Sequence, residues 1–298
     1  MILPDLNTPN WEATRATLHM WTQIVGKVRL ALSPMTNHWW QVPLYLTSRG
    51  LTTSPLPYGG LTFDIDFDFI DHLLLVRTNA GTTRTLQLAP RSVADFYAEL
   101  MATLKEMGIE VSIRAVPVEI PDPIPFADDH SNAAYDAEYV NRLWRAFLFS
   151  DTVLKEFRGR FLGKHSPVHF FWGGFDMAST RFSGRPAPPR QWPPGLGKIM
   201  DEAYSHEVSS AGFWAGGAGN DPLFYAYHTP EPVGYRESAV QPAAAAFHEQ
   251  LGEFVLSYED LRQSATPRQN LLDFLQTTYE AGANAAGWNR TGMERSSE

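Results

Sequence analysis

The stretch HSPVHFFWGGFDMASTRFSGR, His165 to Arg185, gathers two histidines, one aspartate, two arginines and five aromatic rings around a Gly-Gly pair. An imidazole beside a carboxylate moves protons near neutral pH, and a guanidinium holds a carboxylate or phosphate by paired hydrogen bonds. If Gly173-Gly174 makes a tight two-residue hairpin turn, pairing runs Trp172 to Phe175, Phe171 to Asp176, Phe170 to Met177 and His169 to Ala178. Side chains alternate along a strand. Val168, Phe170, Trp172, Phe175 and Met177 then share a core face, while His169, Phe171, Asp176 and Ala178 share the other. On that second face His169 is a candidate general base or metal ligand, with Asp176 as its orienting carboxylate. Arg181 and Arg185 are candidates to hold an anionic substrate. The same residues also suit a half-exposed hairpin with an ordinary His–Asp hydrogen bond.

The stretch SHEVSSAGFW adds two further candidate catalytic residues, His206 and Glu207. Alternation lets only one of them face a given pocket. His38, in NHWWQV, joins His169 and His206 as a third imidazole, and three neutral imidazoles suit zinc, iron or copper. No HExxH spacing accompanies them. Trp39, Phe171 and Trp214 are candidates to line an apolar pocket with a few polar groups. In TFDIDFDFIDH, Phe63, Ile65, Phe67 and Phe69 alternate with Asp64, Asp66 and Asp68. A row of three carboxylates needs cations opposite it, and Arg77, Arg84 and Arg49 are the candidates. The glycine loop GFWAGGAGND is not GxGxxG, and neither GxSxG nor a phosphate-binding GK[ST] occurs, so the chain points to no particular cofactor.

These residues need a scaffold, and the pattern supplies one. Trp11, Thr14, Leu18, Trp21, Val25, Val28 and Leu32 form one helical stripe, with Thr8-Pro9 as cap and first turn. HWWQVPLYLTS, LTFDIDFDFI, LLLVRTN and TTRTLQL read as strands, with a turn at Asn79-Ala80-Gly81. Ser92 and Asp95 open a helix that Gly108 ends, and IEVSIRAVPVEI reads as a strand. After the proline-rich IPDPIPFADD the order recurs. It runs through helix AEYVNRLWRAFLFSDTVLKEF, four strands, helix AAAAFHEQL, strand EFVLSYE, and a last helix from Thr266-Pro267 with Gln269 at the capping-box position. Placing His38 on His169 lays HWWQVPLYL over HFFWGGFDM. The expected fold is α+β, with two tandem helix–antiparallel sheet–helix–strand repeats forming one compact unit. The first repeat spans 1–119, a connector 120–130 and the second repeat 131–287, with a disordered tail over 288–298. A ligand would sit between the repeats.

Composition narrows the function. With 298 residues, 44% hydrophobic and 19% charged, the chain is long enough for a real core. A net charge of −9 disfavours a phosphate backbone as partner, so no nucleic acid is expected. The absence of cysteine excludes disulfides, thiolate catalysis and Cys-ligated metal. No leader or membrane span is read, which makes a soluble cytoplasmic protein the expectation. Oligomeric state is not legible.

The blocks LHMWTQIVGKVRLALSP, NHWWQVPLYLTSRGLTTSPLP, FDIDFDFIDH, PRSVADFY, PDPIPF, GKHSPVHFFWGGFDMASTRFSGR, AYSHEVSSAGFW and LLDFLQTTYEA resemble a bacterial family known only as a domain of unknown function. The resemblance covers about Trp11 to Trp288 and implies one family-wide domain. It carries no activity and no catalytic residues. The leading expectation is a small-molecule enzyme with a His/Asp/Arg site, metal-assisted or not. A non-catalytic binder with an aromatic pocket is the alternative, and a partner-binding module is a third.

Overall fold

A computed structural model describes residues 3–8, 11–192 and 197–295. The first helix, α1 (Trp11–Leu32), carries the expected stripe, but it is buried on nearly every side, including Thr17, His19, Gln23, Lys27 and Arg29. It is thus a central helix. The Trp11 N–H donates to the Thr8 carbonyl at 3.2 Å, while Pro9 lies outside the described residues.

The strands β1 (Tyr45–Leu46), β2 (Gly50–Thr52), β3 (Leu56–Tyr58), β4 (Leu61–Asp68), β5 (Leu73–Thr78) and β6 (Thr83–Gln87) form the first sheet, in the order β1-β2-β4-β5-β6 with β3 also on β4. All its pairings are antiparallel. Alternation in FDIDFDF holds: Phe63, Ile65, Phe67 and Phe69 are all buried. On the opposite face Arg77 bridges Asp64 and Asp66, and Arg49 Nε lies 2.5 Å from Asp68. Cations thus relieve the carboxylate row, as physics requires, although Arg84 is not among them. The helix α2 (Val93–Glu106) follows, with the Asp95 N–H donating to Ser92 Oγ at 3.1 Å as the cap.

The helix α3 (Ala137–Gly159) leads to the second sheet, built from β7 (His169–Phe171), β8 (Asp176–Pro186), β9 (His206–Trp214), β10 (Leu223–Thr229), β11 (Ala246–His248) and β12 (Glu253–Ser257). Its order is β11-β12-β10-β9-β8-β7, again antiparallel throughout. A short helix α4 (Gly197–Ala203) lies between β8 and β9. The chain ends in α5 (Tyr258–Gln263), α6 (Pro267–Ala285) and α7 (Arg290–Met293). One face of this sheet is core: Met177, Ala211, Phe213, Phe224, Phe254 and Leu256 are buried against α3 and α6. The other face is only partly covered.

The two sheets meet at one point. Leu44 and Phe170 exchange backbone hydrogen bonds of 2.9 and 3.0 Å, so β1 abuts β7. A single buried apolar cluster runs through both halves.

The topology does not bear out the expected repeat. The first sheet places two short strands on one edge of β4, whereas the second begins as a simple meander, and the strand orders differ. Three local readings fail with it. HWW is not strand: Asn37–Trp39 is a 3-10 turn in which His38 and Trp39 take φ of 58° and 62°. IEVSIRAVPVEI forms no ladder, and near its end buried Gln23 occupies both backbone groups of Val118, at 2.9 Å each. AAAAFHEQL is not helix. It contributes β11, which pairs with β12 and packs Phe247 on Phe254 at 5.2 Å, a tertiary contact that outweighs alanine propensity. At the last helix Thr266 makes no cap through its side chain. The tail is also corrected through Arg295. Trp288 is buried, α7 forms, and the Arg295 N–H donates to the Arg160 carbonyl at 2.9 Å. Residues 296–298 lie outside the described residues.

Candidate functional site

The hairpin forms in the expected register, with Phe171 opposite Asp176 and His169 opposite Ala178. The turn is wider than expected: Trp172 to Phe175 all lie in it, so Trp172 and Phe175 do not pair, and Phe175 rather than a glycine takes the positive φ, 58°. The ladder continues across the sheet. Asp176 lies opposite Trp214, Ala178 opposite Gly212, and Gly212 opposite Tyr225. His169, Asp176, Thr180, Ser210, Trp214, Tyr225 and Tyr227 therefore share the partly covered face.

Asp176 does not orient His169. Its Oδ2 accepts from the Tyr225 hydroxyl. Tyr225 reaches it across Gly212, where a Cβ would lie 2.5 Å from the phenol oxygen. Glu119 stands at the turn, its Oε1 2.2 Å from where a Gly173 Cβ would be. Asp176 keeps some solvent contact, yet protein atoms crowd it. Burial pushes its carboxyl up to about 7, with the Glu119 charge adding and the Tyr225 hydrogen bond opposing. Glu253, one strand beyond Tyr227, is also raised to about 7, by burial first and the Asp176 charge second. Tyr225 and Tyr227 stack with centroids 6.2 Å apart, and the Tyr227 and Tyr204 hydroxyls lie 2.7 Å apart. Trp192 packs on Tyr204 at 5.2 Å, and Thr180 meets Ser210 at 2.9 Å. The face is thus an array of carboxyls, phenols and hydroxyls over a floor of small residues, Ala178, Ser210 and Gly212.

The other residues singled out from sequence disperse. His169 is 1% exposed under Trp40, Tyr45 and Phe171, and neither ring nitrogen has a partner among the described residues. Burial pulls its imidazole down to about 3, with Arg29 and Arg158 contributing, so it is neutral and unsuited to act as a base at neutral pH. His38 bonds through Nδ1 to the Glu202 carbonyl at 3.0 Å and through Nε2 to Lys164 at 2.7 Å. His206 lies 6.0 Å from His38, ring to ring, and holds Ser205 Oγ at 3.0 Å. The three imidazoles do not converge, and no group of three metal-ligating side chains occurs among the described residues. Arg181 points to the core face. It is sandwiched by Phe157 at 3.5 Å and Tyr279 at 4.3 Å, where burial lowers its guanidinium to about 9. Arg185 binds Glu207 and the Ala286 carbonyl at the rim of a separate cavity of about 380 Å³. A larger cavity of about 460 Å³ opens between α3 and the start of α6, away from the polar face. Trp39 lies in the 3-10 turn with its Nε1 unpartnered. Phe171 and Trp214 flank Asp176 on the polar face.

Sequence reading missed Tyr225, Tyr227, Tyr204 and Glu253. The alternation in LFYAYHT was visible, but only the cross-strand register sets Tyr225 over Gly212 and beside Asp176.

Fold and site together define an α+β protein of two antiparallel sheets, with a carboxyl–tyrosine cluster on the partly open face of the second. The chain belongs to DUF5996, a family of unknown function, over residues 3–295. No curated protein and no solved structure matches it.

Proposed function

We propose that this protein is a small-molecule enzyme whose acid–base residue is Asp176, working with Tyr225 on the partly open face of the second sheet. The observation that carries this reading is a carboxyl poised near pH 7 by burial and hydrogen-bonded to a phenol. Holding a carboxyl in that state costs stability, and sites that transfer protons at neutral pH are where such costs recur. Trp214, Tyr227 and Tyr204 would wall the ligand, and Thr180, Ser210 and Glu253 would offer polar contacts. The stacked tyrosines also favour a second reading, a non-catalytic binder that holds an aromatic or cationic metabolite on the same face.

The test has two arms. Carbon-13 NMR should show the Asp176 carboxyl titrating near pH 7. Native mass spectrometry and a metabolite panel read by thermal shift should reveal a ligand that both Asp176→Asn and Tyr225→Phe lose. Chemical conversion of that ligand by the wild type separates enzyme from binder. An Asp176 pKa in the ordinary carboxylate range, with ligand binding intact in both variants, would overturn the proposal.

A further inference from the structure

The bridge between Leu44 and Phe170 sets the residues beside them, Tyr45 and His169, as a cross-strand pair with ring centroids 5.7 Å apart. Arg29 from α1 stands over the same ring, its Cζ 5.5 Å from the centroid, and its charge reaches His169. Three facts about this row are unusual together. His169 is 1% exposed, and both ring nitrogens lack a partner among the described residues, although one of them must carry a proton. Arg29 is 8% exposed and makes no ion pair among the described residues. Its Nη1 donates to the Thr53 carbonyl, whereas Nε is buried without a partner. The side edge of the guanidinium, Nε with Nη2, is the edge that grips two oxygens of one anion. Here it has no protein partner among the described residues.

We propose that Arg29, Tyr45 and His169 form a binding site for an oxyanion, a carboxylate or phosphate group, at the seam between the two sheets. The reading is independent of the role given to Asp176. A buried water would satisfy His169 but would leave the largely buried Arg29 charge without a counter-ion, which is costly. An oxyanion answers both demands: it accepts from Nε and Nη2 of Arg29, from an imidazole N–H and from the Tyr45 hydroxyl. Arg158, whose charge also reaches His169, adds to the positive field. Burial and this field keep the imidazole neutral in the absence of an anion. A bound anion would favour its protonation, so affinity should rise as pH falls.

The experiment is a titration of the full chain, with histidine nitrogens labelled, using sodium sulfate, phosphate and acetate, and chloride at matched ionic strength as control. Sulfate keeps a constant charge over about pH 5 to 8, so its pH dependence reports the protein alone. The expected result is a saturable shift of the His169 nitrogens with at least one of these anions and not with chloride. Sulfate affinity, where it binds, should increase toward acid pH. Preference for acetate over phosphate, or the reverse, assigns the group as carboxylate or phosphate. Arg29→Gln should weaken binding at least about tenfold, the loss of a charge-assisted bidentate contact. Arg29→Lys keeps the charge without the fork, and Tyr45→Phe removes only a hydroxyl, so these variants serve if Arg29→Gln does not fold. Absence of any saturable shift, or unchanged affinity in the Arg29 variants, would overturn the site.

Discussion

Asp176 was legible as a candidate, but its partner was not. Diagonal reach on one sheet face suggested His169, whereas the phenol of Tyr225 takes the carboxyl across two strands. Burial of this carboxyl, which the Tyr225 hydrogen bond only partly offsets, has a measurable consequence for stability. The folded pKa is raised from 3.8 to about 7, so between these values the folded state binds more protons than the unfolded one. Stability then falls as pH rises through that window, and the penalty is complete above about 7. Asp176→Asn cannot ionise. Denaturant melts at a series of pH values should show the variant gaining on the wild type from about pH 4 to 7, with a constant gap beyond. A gap that shrinks as pH rises would mean the carboxylate is stabilised by the fold. His169 has the opposite sign. Its lowered pKa withdraws stability as pH falls from 6.5 toward 3.

At the level of elements, much of the second sheet could be read directly. The ladder from His169 to Ala178 and the two faces of the hairpin follow from period-two alternation, although the turn is wider than a two-residue Gly-Gly turn and its left-handed residue is Phe175. The acidic strand β4 and its arginines follow from the same logic. What failed was decided by tertiary contacts. Gln23 captures the backbone of Val118, and an edge strand forms from an alanine run. Arg181 looked like an anion binder because its aromatic neighbours come from distant helices, α3 and α6. Gly212 lies inside β9, opposite Tyr225. Its missing side chain makes room for the Tyr225 ring, and a Cβ would also press to 2.1 Å from the Met177 carbonyl. Gly212→Ala should destabilise by roughly 1–3 kcal/mol through overpacking. It should also move the Asp176 carboxyl resonance, because the phenol is displaced. Unchanged melts and an unchanged resonance would show that β9 yields easily at this point.

The whole molecule joins two differently ordered sheets rather than two copies of one unit. Two features bind them. The seam at Leu44 and Phe170 continues hydrogen bonding from one sheet to the other, and α1 is buried among residues of both halves. On the second-sheet side a Cβ on Gly26 would come within 2.3 Å of the Trp172 indole, so the helix and the hairpin turn are in close contact there. On the other side Trp21 stacks on Phe96 of α2 at 4.7 Å. Neither half could lose its structure without exposing the apolar surface it lends to the other, so the two should unfold together. Urea melts followed by far-ultraviolet circular dichroism and by tryptophan emission should coincide in a single transition. Phe170→Ala removes a ring at the seam that touches Phe147 and Phe175, with centroids at 5.2 and 5.4 Å. Deleting a buried phenylalanine side chain costs about 3–5 kcal/mol. In a joined molecule that cost lowers the common midpoint for both probes. In a molecule of two independent halves the curves would separate, with the first sheet melting where it did before.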